Sequence, residues 1–177
     1  MFELMQQVRL ANLNLRAEKH GDETKPALDL KIEATVPSTT LIHFHSELRQ
    51  HLFMKDPNPD LVDQVVEGEG LTLLRYPKMG PIKWDWEGTG YQGVVDYGLG
   101  DEESNIDLGD DLKLDHFVIE PLNGGSVNIS FRVIAHPDSD DIGKLSEFIQ
   151  RDIELKLTPP EAKTADDLFP DNMRKAA

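Results

Sequence analysis

Seven residues of this 177-residue chain combine stacking surface with positive charge: Arg75, Tyr76, Lys78, Lys83, Trp84, Trp86 and Tyr91. They fall in "LRYPKMGPIKWDWEGTGYQG", which holds the only two tryptophans. Aromatic rings that stack on bases, next to lysine and arginine that follow phosphates, bind single-stranded nucleic acid. Trp84 and Trp86 also share a period-two face with Ile82, the pattern of core tryptophans. Both readings stay open: a buried anchor for a sheet, or a nucleic-acid-binding surface. On period two, Lys83 falls on the face opposite the tryptophans.

The rest of the chain is acidic, with a formal net charge of −15. Such a charge disfavours passive adhesion to nucleic acid or to an anionic membrane. It suits solubility, binding to a basic protein surface, or imitation of a polyanion. The runs 56–69 and 96–115 concentrate the acids. Asp101, Glu102, Glu103, Asp107, Asp110 and Asp111 are therefore candidate partner-binding residues in a solvated loop. That stretch lacks the alternate-position ligands of a calcium loop.

"HFH" sets His43 and His45 on one side of a strand, a spacing able to chelate zinc, but on divergent sides of a helix. Surface or boundary histidines are the expectation, with no metal and no cofactor. No cysteine is present, which excludes disulfides, thiolate metal sites and cysteine nucleophiles. No G-x-S-x-G, P-loop or H-E-x-x-H motif occurs. A non-enzymatic protein is expected.

The elements that must carry these residues are mostly strands. "ALDLKIEATV" puts Leu28, Leu30, Ile32, Ala34 and Val36 on one face. "SVNISFRVIA" does the same with Val127, Ile129, Phe131 and Val133, and "DIELKL" with Ile153, Leu155 and Leu157. Between Leu10 and Ala11 the apolar parity switches, which predicts a bulge. Asn123–Gly125 supplies a tight hairpin turn, and Pro121 predicts an edge or bulge. Residues 19–26 read as a polar connection. "SDDIGKLSEFIQRD" has helical spacing, with Ser139 or Asp140 as cap. "STTLIHFHSELRQHLF" also reads as a helix, with Ser38 as cap, or alternatively as a strand through Phe44 followed by a short helix.

The expected fold is mainly β with a minor α component: an antiparallel β-sandwich or partly closed barrel with one or two short helices. Residues 1–158 form a single β-rich domain, and 159–177 a mobile C-terminal tail. No signal peptide and no membrane span is read from the chain.

"GPIKWDWEGTGYQGVVDYGLG", followed by "NGGSVNISFRVIAHPDSDDIGKLSEFIQRDIELKLTPPE", resembles a family of small proteins carried by phages and prophages. The resemblance runs from "VRLANLNLRAEKHG" to "LTPPE". It implies a phage-encoded accessory protein in the host cytoplasm, and assigns no role to any residue. The expected partners are single-stranded DNA or a host or phage DNA-processing protein, with a homo-oligomer allowed. The alternative is an acidic, DNA-mimicking inhibitor of a host nuclease or defence complex.

Overall fold

The computed structural model describes residues 1–21, 23–57, 70–98 and 104–161. Nine strands lie within them: β1 (Leu4–His20), β2 (Glu23–Pro37), β3 (Phe53–Lys55), β4 (Leu71–Leu74), β5 (Ile82–Trp84), β6 (Gly88–Asp96), β7 (Ile106–Leu122), β8 (Ser126–Ala135) and β9 (Asp152–Thr158). Six of them close on themselves in the order β7-β6-β9-β1-β2-β8, and β8 returns to β7. Every pairing is antiparallel. Of the two arrangements expected, the barrel is the one formed. Closure removes the sheet edges that a sandwich would have to protect.

The interior is filled by side chains. The inward residues expected on β2, β8 and β9 are all buried, and β1, β6 and β7 add Leu4, Val8, Leu10, Tyr91, Val95, Leu108, Leu112 and Leu114. The β1 bulge is present: its register with β2 shifts between Leu10 and Asn12, and Leu10 and Ala11 are both buried. Gly93 makes the narrow bore possible. A Cβ there would sit 2.4 Å from Leu112 Cδ1 and 3.3 Å from Leu157 Cδ2.

Short helices stopper both mouths. α2 (Ser139–Ser146) buries Leu145, and just beyond it Phe148 meets Tyr97 edge-on. Its cap is Asp138, one residue before the expected positions. The Asp138 carboxylate accepts hydrogen bonds from the Asp140 and Asp141 amides at 3.0 and 2.9 Å. At the other mouth the single helix expected over residues 38–52 is broken. A 3-10 helix spans Ser38–His43, and α1 covers only Leu48–Leu52. Thr39, Thr40 and Ile42 disfavour a continuous α-helix. The break also lets Leu41 and Phe44 enter the barrel mouth, where Phe44 lies 5.3 Å from Phe117.

The polar connection expected at 19–26 is shorter than predicted, since β1 and β2 extend through most of it. Pro121 stands in β7 beyond the last β5 pair and opposite Val127 of β8. β7 begins at Ile106, so the second half of the acidic stretch is strand, not loop. No helix among the described residues is long and apolar enough to cross a membrane. The insertion expected at 56–70 lies mostly outside the described residues, as does the tail from 162 onward.

Candidate binding surface

The basic and aromatic residues divide by local geometry. Pro77 sits second in a turn closed by the Met79 amide donating to the Tyr76 carbonyl at 3.0 Å. Proline at that position pre-sets the backbone angle of the turn. The turn holds the Tyr76 ring outward, 56% exposed, with Lys78 at its tip. Neither Lys78 nor Lys83 forms an ion pair among the described residues.

Arg75 is committed elsewhere. Its guanidinium donates to the carbonyls of Gln50 at 3.2 Å and Phe53 at 3.4 Å. It ties the end of α1 to β3, while Arg75 itself stays exposed. Tyr91 is corrected. It faces the interior from β6 and is 1% exposed, so it offers no ring to a ligand. Burial raises the pKa of its phenol, and the nearby Phe2 backbone offsets part of that.

Trp84 and Trp86 satisfy both readings in part. Each is half-buried. Trp84 meets Phe44 edge-on at 6.2 Å, and Trp86 packs on Phe117 at 5.3 Å. They close the aromatic plug formed with Phe2, Phe44, Phe117 and Phe131. β5 is only three residues long and, among the described residues, pairs with β7 alone. Lys83 is exposed where Trp84 and Trp86 pack on the core, as the alternation predicts, and it lines the rim of a groove with Asp85, Glu87 and His116.

Across that groove β7 carries a second bulge. Its register with β8 shifts between Asp115 and Val118, and His116 adopts φ 57°. Positive φ is uncommon for a residue with a side chain. Alternation after Leu114 puts Asp115 on the outer wall, where it is buried, and the bulge leaves His116 outside with it. Arg132 of β8 holds it with two hydrogen bonds of 2.7 and 2.8 Å, and His116 Nδ1 lies 2.8 Å away. Burial pushes the Asp115 pKa up, but the bonds from Arg132 and His116 outweigh it and hold the carboxyl below its usual value.

Asp115, His116 and Arg132 are not among the residues expected to form a site. The signal was a second parity switch, since Leu114 and Phe117 both face inward three residues apart. Compared with protein-family models, with curated proteins and with solved structures, the chain matches none.

The acids split as well. Asp107, Asp110 and Asp111 are exposed on β7, and the Asp107 carboxylate accepts from the Gly109 amide at 2.8 Å. Asp101, Glu102 and Glu103 lie outside the described residues. Asp115, part of the second acidic run, is corrected from surface acid to buried ion-pair partner. His43 ends the 3-10 helix against Phe2, and His45 Nδ1 accepts from the Glu47 amide at 3.2 Å, so neither stands on a strand.

Proposed function

We propose that this chain is a non-enzymatic accessory protein that binds single-stranded DNA on the outside of the barrel, along Tyr76–Trp84. The phage context implied by the resemblance places that role in an infected host cell. One observation carries the reading: the exposed Tyr76 ring stands in one turn with Lys78, the chain leads from there to Lys83 beside the half-buried Trp84, and neither lysine has an ion-pair partner among the described residues. The barrel interior is filled, so a ligand has only the outer surface to use. One ring can take a base while each lysine takes a phosphate.

The test is anisotropy of a labelled oligothymidine at low salt. Tyr76→Ala should weaken binding about thirtyfold, near the middle of the range for one lost stack. Lys78→Ala and Lys83→Ala should each flatten the slope of log affinity against log salt by about 0.7. Arg75→Ala should leave that slope unchanged. No binding by the intact protein at low salt overturns the reading.

A second reading has its own observation. Asp107, Asp110 and Asp111 project from β7 without cationic partners among the described residues, as a phosphate-like surface would. Tight binding of a basic DNA-processing protein in the absence of DNA, lost on replacing these three by asparagine, would favour an inhibitor.

A further inference from the structure

β1 is longer than the barrel wall needs. β9 covers it from Leu4 to Arg9. Residues 150 and 151 then take over. The Leu10 amide donates to the Arg151 carbonyl at 3.0 Å, the Gln150 amide to the Leu10 carbonyl at 2.8 Å, and the Gln150 side chain to the Ala11 carbonyl. From Asn12 to His20, β1 is paired with β2 alone among the described residues. β2 is likewise free on its other side before Leu28, where β8 ends opposite it at Ala135. The distal half of the hairpin is an arm with two free edges.

The two edges differ. Natural sheets blunt a free edge with proline, lysine or a bulge. The β2 side carries Lys25 and Pro26 in its short free stretch. The β1 side, "NLNLRAEKH", has no proline and no bulge beyond Asn12, and its one lysine, Lys19, comes only at the far end. Along its inner face run Leu13, Leu15 and Ala17, and Leu15 is 55% exposed. An unblunted edge with an apolar row is a template for another strand.

We infer that this edge pairs antiparallel with the same edge of a second copy, about a twofold axis at Leu15. The sequence is complementary to itself in that register. Leu15 meets Leu15 and Leu13 meets Ala17 on the inner face. Asn14 meets Arg16 and Asn12 meets Glu18 on the outer face. An axis at Arg16 would oppose two arginines and set Leu13 against Lys19. An axis at Asn14 would need Ala11, whose carbonyl already accepts Gln150. The Leu15 register avoids both conflicts. It is an isologous contact, so it closes at two copies, and it joins the two hairpins into one four-stranded sheet.

The chain has no cysteine, so single-cysteine variants give a clean test of register. Directly opposed residues in an antiparallel pair have Cα atoms about 4.5–5.5 Å apart, within disulfide reach. A four-residue offset puts them about 13 Å apart. Under mild oxidation Leu15→Cys should form covalent dimers. Leu13→Cys and Ala17→Cys should each fail alone but cross-link when mixed. Sedimentation of the intact protein should give twice the 19.9 kDa chain mass, and Leu15→Lys should give the single mass with an unchanged circular dichroism spectrum. A wild-type monomer at every concentration overturns the inference. So does a dimer indifferent to Leu15→Lys, which would place the interface elsewhere. A wild-type monomer that dimerises only when the chain is cut after Glu161 would assign the edge to the tail and overturn it equally.

Discussion

Asp115 is the residue on which the outer wall turns. Its carboxylate sits in a line of charges across four strands: Lys113 between Glu87 and Asp115, Arg132 between Asp115 and Asp29, and Arg16 between Asp29 and Glu18. Pairs exposed to water contribute little to stability. Asp115 is different, since its side chain is only 4% exposed. Removing its main partner leaves a buried charge, which costs about 3–5 kcal/mol in a fully buried pair. Arg132 is a third exposed, so Arg132→Ala should cost less, about 2–3 kcal/mol at neutral pH. The pH dependence has a definite sign. In the intact protein the Asp115 pKa is depressed, so the pair's contribution is full above the ordinary value of 3.8 and falls away as pH drops through the lower folded value. In the variant burial dominates and raises that pKa. The stability gap between the two proteins should therefore narrow on acidification, as read from urea melts at neutral pH and near pH 3. A gap that widens in acid would contradict this account.

At the scale of elements, period-two patterning was legible in β2, β8 and β9, where it runs unbroken, and not in the first half of β7, where the dense acids read as loop. The β2, β8 and β9 faces follow from that alone, and the β1 bulge from one break in it. The segment 38–52 was not legible in the same way. Its Leu41, Phe44, Leu48 and Leu52 fit a helical stripe, but Phe44 is placed by Phe2 and Phe117, which come from elsewhere in the chain. The candidate surface was half legible for the same reason. Tyr76 and Lys78 are set by a local proline turn, whereas Arg75, Tyr91 and the Asp115–Arg132 pair are set by strands brought together on closure. Gly93 tests how tight that closure is. Leu112 lies across the β6–β7 pair and Leu157 across the β6–β9 pair, and both would have to move for a methyl group. Gly93→Ala should destabilise by about 1–3 kcal/mol through overpacking, despite alanine's better conformational entropy. Gly93→Ala combined with Leu112→Val should recover part of that loss in a double-mutant cycle.

For the whole molecule, net charge is the dominant long-range term. The sequence carries 33 acidic and 18 basic side chains, an excess of 15 acids. Self-repulsion on that scale opposes the compact state. Salt acts on it through the screening length, about 30 Å at 0.01 M and about 10 Å at 0.1 M. At the lower ionic strength acids on opposite sides of the barrel still repel one another, and at the higher only near neighbours do. The ion pairs on the outer wall respond the other way, since salt weakens attraction too. Their separations are 4 Å or less and the best of them is partly buried, so they are screened less than the distant repulsions. The balance favours repulsion as the term that salt removes. The thermal midpoint at pH 7 should rise between about 0.01 M and 0.15 M sodium chloride, and Arg132→Ala should show at least as large a rise, having lost its strongest salt-sensitive attraction. A midpoint that falls with salt would mean that paired charges, not net charge, govern the stability of this barrel.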